Sequence, residues 1–105
     1  MDRSETITLI KPKITYGNFG QSIISEEVKE VFCSIRSISG SEWMEAGRIG
    51  MRPEFKIILF RYDYDGEDQV EYGGKRYVVY RTYIGTNDTM ELYVEKRAGV
   101  SNGES

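Results

Sequence analysis

The sequence contains no histidine and only one cysteine. Without histidine the chain lacks the commonest general base and the commonest protein ligand for metals. Cys33 cannot form an internal disulfide, and it lies in an apolar strand pattern. We therefore interpret it as a small core residue of a protein kept in a reducing compartment. No nucleophile-elbow, phosphate-loop or dinucleotide-binding motif occurs either, so we expect no enzyme activity, no metal site and no cofactor.

The chain also lacks an apolar run long enough for a signal peptide or a membrane span, which predicts a soluble protein made in the cytoplasm. Its 105 residues, 30% charged and 39% hydrophobic, suit one globular domain. A net charge of −3 disfavours polyanion binding by bulk electrostatics. We expect one β-barrel domain over residues 1–96 and a disordered tail over residues 97–105, where apolar periodicity is missing.

The stretch from Glu54 to Tyr83 organises the rest of the chain. It contains a strand with apolar side chains on both faces, which is typical of a central strand or of one covered by a partner. One face carries Phe55, Ile57 and Leu59, and the other carries Ile58 and Phe60. Gly73 and Gly74 predict a tight hairpin between strands Gln69–Tyr72 and Lys75–Ile84, because both glycines tolerate positive φ.

The flanking segments add further strands and one helix. Alternating patterns predict strands over Thr6–Ile10, Glu27–Ile38 and Thr89–Lys96, and Gln21–Ile24 is a candidate for a further short strand. Pro12 predicts that the first strand ends, or becomes an edge, by Lys11. In the last strand Met90, Leu92 and Val94 face the core, while Glu91, Tyr93 and Glu95 face outwards.

A capping box, Ser39-x-x-Glu42, predicts a short helix that stops near Gly47 or Gly50. Taken together, the patterns predict a mainly β fold: a small antiparallel β-barrel (SH3/OB-like) of five to six strands with one short helix.

The densest carboxylate cluster is a loop whose charged members are Asp63, Asp65, Glu67 and Asp68, with Tyr64 between them. Its D-x-D start resembles a calcium loop, but Gly66 comes too early and no flanking helices are predicted. A general acid/base pair lacks a nucleophile or an oxyanion donor nearby. We favour a solvated hairpin loop, since charge-rich turns are common.

Basic residues interleave with tyrosines in the second half of the chain, which is the pattern of a single-strand nucleic-acid surface. The same pattern arises where arginine stems cover apolar strand faces, and neighbouring carboxylates dilute the positive field. The residues are Arg52, Lys56, Arg61, Lys75, Arg76 and Arg81, with Tyr62, Tyr77, Tyr80 and Tyr83. A small nucleic-acid-binding barrel therefore stays open as an alternative.

Trp43 and Met44 stand together on the predicted helix, where they either seal the barrel or anchor another subunit. We take them as candidate interface residues together with three residues from the central strand and its end. The full candidate interface is Trp43, Met44, Ile58, Phe60 and Tyr62.

From Glu27 onwards the order of motifs resembles the head–tail joining family of tailed phages, also called head closure or stopper proteins. The matching segments cover about two thirds of the chain. Each segment alone is a weak motif, and the order of the segments carries the resemblance. They are a serine-rich strand end at Ser34–Ser41, E-x-x-x-A-G at Glu42–Gly47, an isoleucine-rich strand at Phe55–Tyr62, DYDGE at Asp63–Glu67, the YGGKRY hairpin at Tyr72–Tyr77, RTY at Arg81–Tyr83 and ELY at Glu91–Tyr93.

The resemblance implies a structural virion protein, found at the head–tail interface of a phage or prophage and made in the host cytoplasm. Its implied partners are, first, copies of itself in a ring, commonly a dodecamer. The portal or adaptor protein would lie above this ring and the tail completion or tube protein below it. The ring would also contact the packaged DNA, without sequence specificity. It implies no membrane partner. The ring closes the DNA channel and docks the tail, whereas the isolated chain is able to stay monomeric because its partner serves as template. The acidic loop, Asp63, Tyr64, Asp65, Glu67 and Asp68, then faces the channel or the next subunit. A tail-terminator-type virion protein is a related alternative.

Overall fold

The computed structural model describes residues 4–97, so most of the predicted tail lies outside the described residues. Six strands form one closed antiparallel barrel in the spatial order β1-β2-β3-β6-β5-β4, which confirms the predicted fold class. The elements are β1 (Glu5–Tyr16), β2 (Ser22–Arg36), α1 (Gly40–Arg48), β3 (Pro53–Phe60), β4 (Gln69–Tyr72), β5 (Lys75–Ile84) and β6 (Thr89–Lys96), with a 3₁₀ turn at Arg61–Asp63.

The barrel interior is filled by alternate residues of all six strands. Its fully buried members are mostly branched aliphatic side chains, joined by Cys33, as predicted for that thiol. Strand β3 is central, since it pairs with both β2 and β6. Ile57 and Leu59 point into the core and are fully buried, while Ile58 and Phe60 lie half-buried on the outer face.

Two turns take the backbone conformations expected from their residues. Gly73 and Gly74 have φ of 61° and 80° and join β4 to β5 as a two-residue hairpin. Asn87 and Asp88, with φ of 55° and 59°, make the corresponding turn between β5 and β6. Asparagine and aspartate tolerate this left-handed region better than other residues with a side chain.

The first strand departs from its prediction. Strand β1 does not stop before Pro12 but continues to Tyr16, paired with β2 along its whole length. The prediction of an edge was right, because β4 pairs only with Thr8–Ile10. Strand β2 likewise begins at Ser22, so the predicted segment at Gln21–Ile24 is part of this long strand.

The hydrogen-bond pattern explains why β1 accepts a proline. The Gly17 N–H donates to the Gln21 carbonyl at 2.8 Å, which fixes the odd-numbered residues of β1 as those whose N–H groups face β2. The nitrogen of Pro12 therefore faces the outer edge of β1, where its missing N–H breaks no bond of the hairpin.

Candidate interaction surfaces

The part of the β1–β2 hairpin beyond the barrel, residues 11–30, is called the arm here. Strand β4 covers the outer edge of β1 only as far as Ile10, and β3 pairs with β2 only from Cys33 onwards. The arm is therefore a two-stranded ribbon, and among residues 4–97 no further strand pairs with it. It contributes to a molecule whose longest dimension is 51 Å and whose shortest is 24 Å.

One face of the arm carries most of its exposed apolar side chains, together with Ser22, Glu26 and Glu30. Even-numbered positions of the two strands share this face, because Ile14 pairs with Ile24 and side chains alternate along each strand. Phe19, in the loop at the arm tip, is 94% exposed. The opposite face is mostly polar, with Ile23 as its exposed apolar exception. The exposed apolar residues of the even face are Ile14, Tyr16, Ile24 and Val28.

The acidic loop is fastened to the base of the arm rather than free in solvent. Lys11 Nζ donates to Asp65 Oδ2 at 3.0 Å, and Lys29 lies 3.8 Å from Glu67. The hydrogen bond with Lys11 lowers the pKa of the Asp65 carboxyl below its ordinary value. Glu67 is 6% exposed, and its carboxylate accepts a hydrogen bond from the Asp65 N–H at 2.7 Å.

The loop also differs from the predicted solvated hairpin loop. It joins β3 to β4, which are not neighbours in the barrel, so the chain crosses the barrel end instead of turning back on itself. Tyr64 is half-buried and packs against the core, and its hydroxyl donates to the Glu67 carbonyl at 2.7 Å. Asp65 and Asp68 remain exposed. The loop is thus a folded cover with two carboxylates at its surface.

Helix α1 begins with the predicted capping box. The Ser39 hydroxyl accepts from the Glu42 N–H, and the Glu42 carboxylate accepts from the Ser39 N–H. These two bonds satisfy N–H groups that a helix start otherwise leaves unpaired. Ala46 is the buried residue of the helix, so its docking on the barrel rests on few apolar contacts.

A polar clamp holds the helix to the barrel. One carboxylate oxygen of Glu42 accepts hydrogen bonds from Lys56 Nζ at 2.8 Å and from the Tyr93 hydroxyl at 2.5 Å. The hydrogen bonds from Lys56, Tyr93 and Ser39 lower the pKa of Glu42 to about 2. Burial raises the pKa of Tyr93, and its hydrogen bond to the Glu42 carboxylate raises it further. Tyr93 does point out of the barrel as predicted, yet it is buried because the helix covers it.

The helix leaves its large apolar side chains uncovered. Trp43 is 51% exposed and Met44 is 69% exposed, and Ile49 beyond the helix end is also exposed. Of the two open interpretations for Trp43, this geometry favours contact with another molecule over sealing the core, because about half of the side chain remains in water.

The remaining candidate interface residues lie around the end of β3. Phe60 and Tyr62 make an edge-to-face contact with ring centroids 5.2 Å apart, and the Arg61 guanidinium lies 5.3 Å from the Tyr62 ring. Tyr62 is exposed, whereas Ile58 is half-buried. Trp43 and Met44 thus lie on α1, whereas Ile58, Phe60 and Tyr62 lie at the end of β3 and in the 3₁₀ turn that follows it.

A shallow groove of about 290 Å³ lies between α1 and the β5–β6 hairpin. Tyr80, Tyr83 and Tyr93 contribute rings to it, and Arg81 donates to the Tyr83 hydroxyl at 3.0 Å. Ser41, Glu42, Glu45 and Ala46 complete the wall on the helix side. The groove has aromatic walls and charges of both signs at its rim.

The basic residues that suggested a nucleic-acid surface are partly engaged within the chain. Lys56 pairs with Glu42, and Arg76 pairs with Glu26 at 2.9 Å and also donates to Gln69. Neutralisation by these carboxylates reduces the positive field that a phosphate backbone requires.

Sequence reasoning missed the arm as an interaction surface. A usable signal was present: Ile14 and Tyr16 continue the alternation past Pro12, and Ile24 and Val28 continue it on the return strand. The weight given to Pro12 hid this pattern, because a proline is compatible with a strand whose N–H at that position faces an open edge.

Within residues 4–97 no group of three or more histidine, cysteine or carboxylate residues is arranged to hold a metal ion. The one helix in that part of the chain is too short and too polar to cross a bilayer.

Comparisons with known proteins add no family assignment. No family model matches the chain, and a search of curated proteins finds no significant match.

Proposed function

We propose that the chain is a structural protein of a phage head–tail connector, which assembles as a ring beneath the portal or adaptor protein, closes the DNA channel and provides the docking surface for the tail. The motif order from Glu27 onwards suggests this role. The structural observation that supports it best is the arm, a projecting ribbon whose apolar face has no cover within the described chain.

The arm favours an assembly role for a physical reason. An isolated two-stranded hairpin is only marginally stable in water, and an exposed apolar surface of this kind usually marks an interaction site. Ile14, Tyr16 and Ile24 are each more than half exposed. A neighbouring subunit or virion protein that covers them removes apolar surface from water and orders the ribbon at the same time.

The helix and the acidic loop fit the same role. Trp43 and Met44 belong to residue types enriched at interface centres, and the capping box and the Glu42 clamp hold them in place. In the acidic loop Asp65 and Glu67 are already paired with lysines. This neutralisation favours a contact with the next subunit over repulsion of DNA in the channel, because few uncompensated charges remain.

Inactivation of the gene in the phage or prophage that encodes the chain tests the proposal. Lysates without the chain are expected to contain separate heads and tails, with DNA released from the heads, and infectivity should return when the chain is supplied from a plasmid. The replacement of Ile14, Phe19 and Ile24 by serine should leave the barrel folded but fail to restore infectivity. Joined, infectious particles formed without the chain would contradict the proposal.

A further inference from the structure

The arm has two open edges that differ in their capacity to accept another strand. The outer edge of β1 is short, carries Pro12 and offers outward N–H groups only at Ile14 and Tyr16 beyond the reach of β4. The outer edge of β2 has no proline. Its pairing with β3 ends at Cys33, and Phe60 continues β3 alongside Phe32, so the free edge runs from Ser22 to Glu30.

We propose that two free copies of the chain pair through this edge, β2 against β2 in antiparallel orientation, around a two-fold axis at Glu26. This inference goes beyond the proposed function and does not depend on it. It also differs from the monomeric state that the phage resemblance implies for the isolated chain.

The hydrogen-bonding groups of the edge are self-complementary. Odd-numbered residues of β2 face β1, so the even-numbered residues, from Ser22 to Glu30, direct their N–H and C=O groups outwards. A two-fold antiparallel pair requires residues of the same parity opposite each other, and the register centred on Glu26 provides this. It places Ser22 opposite Glu30 of the second copy and Ile24 opposite its Val28.

In this register the strand residues of the two copies do not overlap with β3, because Ser22 lies opposite Glu30, two residues before Phe32. In this register the arm tip of one copy meets the point where β3 begins to cover β2 in the other. The added strand and β3 therefore lie end to end along the same edge. A register shifted by two residues towards the barrel would place Ser22 of one copy opposite Phe32 of the other, where Phe60 of β3 already lies.

The side chains favour the same register. Ile24 is 74% exposed and Val28 is 60% exposed, and each would cover the other on the apolar face of the four-stranded sheet. The two copies of Glu26 would stand opposite each other at the axis, where like charges destabilise a pair. Each Glu26 carboxylate, however, is paired with Arg76 at 2.9 Å. A shift of the axis to Glu27 would instead oppose two carboxylates that lie opposite Lys11 in their own hairpins, and among residues 4–97 Lys11 forms its ion pair with Asp65.

The interface consists of one added strand on each side and is smaller than a standard stable interface of about 1,600 Å². The dimer should therefore dissociate on dilution. It also covers an edge that would otherwise be a template for aggregation, and it must open before the arm packs on any other subunit.

Matched proline substitutions test the pairing. Ile24→Pro removes an outward N–H from β2 without breaking a hairpin bond, as Pro12 does on β1. Ile14→Pro makes the same change on the other edge and is the control. In analytical ultracentrifugation over a concentration series, the unmodified chain and Ile14→Pro should dimerise, and Ile24→Pro should remain monomeric. An unmodified chain that is monomeric at every concentration, or an Ile24→Pro chain that dimerises equally well, would overturn the proposal.

Disulfide trapping tests the register. In this register Ser25 of one copy lies opposite Glu27 of the other in a non-hydrogen-bonded pair. The Cα atoms of such a pair are close enough for a disulfide between cysteines at the two positions. A mixture of Ser25→Cys and Glu27→Cys chains should oxidise to a mixed dimer in higher yield than either variant alone. A Lys13→Cys chain mixed with Glu27→Cys is the control and should give little product. Cys33 is fully buried, and burial raises the pKa of its thiol to about 11, so it should not react. Equal yields in all mixtures would contradict the register.

Discussion

At the scale of single residues, Glu42 connects the helix to the barrel. Its carboxylate closes the capping box and binds Lys56 and Tyr93, so one side chain both starts the helix and attaches it to the barrel. The apolar contact that supports this attachment comes chiefly from Ala46, the buried residue of the helix. The exposed position of Trp43 and Met44 therefore depends on a polar contact.

Replacement of Glu42 by glutamine should lower the free energy of unfolding by about 1–3 kcal/mol near neutral pH, because charged hydrogen bonds are lost and Lys56 keeps an unpaired charge. Glu45→Gln is the control, since its exposed pair with Arg48 contributes less than about 0.5 kcal/mol. Urea unfolding measures both. Equal, small effects of the two substitutions would show that the clamp contributes little.

The same carboxyl predicts a pH dependence. The pKa of Glu42 in the folded chain is about 2, below its ordinary value of 4.5, so the unfolded chain binds the proton more readily. The stabilisation is therefore complete above pH 4.5 and is lost as the pH falls towards 2. The difference in unfolding free energy between the unmodified chain and Glu42→Gln should shrink over this range. A constant difference would contradict the assignment.

At the scale of elements, the turns and the helix start follow from local sequence, whereas the local alternation of the arm is interrupted by Pro12. The bounds of β4, β5 and β6 were predicted residue by residue, because glycine pairs and a turn-forming asparagine separate strands of clear alternation. The length of β1 was not predicted. A strand accommodates Pro12 only when the backbone nitrogen at that position faces an open edge. Which edge is open depends on the closure of the barrel, a property of the whole chain.

Two glycine substitutions should have opposite effects on these elements. Gly74 has φ of 80°, so Gly74→Ala should destabilise the fold by about 1–2 kcal/mol. Gly47 lies within helix α1, and a β-carbon there would meet no atom within 4 Å. Gly47→Ala should therefore stabilise the fold by about 0.5–1 kcal/mol. Thermal unfolding measures both, and effects of the same sign would contradict this account of the turn and the helix.

At the scale of the whole molecule, residues 4–97 form a closed barrel with a ribbon and a helix attached to it. The sequence patterns predicted the barrel and its central strand. The candidate interface stays a prediction: Trp43, Met44 and Tyr62 are exposed, while Ile58 and Phe60 are half-buried. The acidic loop was expected at the surface, but its ties to Lys11 and Lys29 depend on tertiary structure and had no sequence signal.

The nucleic-acid alternative makes a separate prediction for the free chain. With a net charge of −3 and with Lys56 and Arg76 paired to carboxylates, the chain should bind single-stranded DNA weakly at low salt. Arg61→Ala and Arg76→Ala should change this little. Fluorescence anisotropy measures the affinity. Tight binding that weakens steeply with salt and falls in either variant would favour the nucleic-acid function.

The central claim is that the chain works as a structural part of the virion connector. Electron cryomicroscopy of purified particles, with the chain identified by mass spectrometry, tests it most directly. We predict a ring of these barrels at the vertex between portal and tail, with the arms packed against neighbouring subunits. Particles that lack the chain, or a connector ring built entirely from other proteins, would contradict the account.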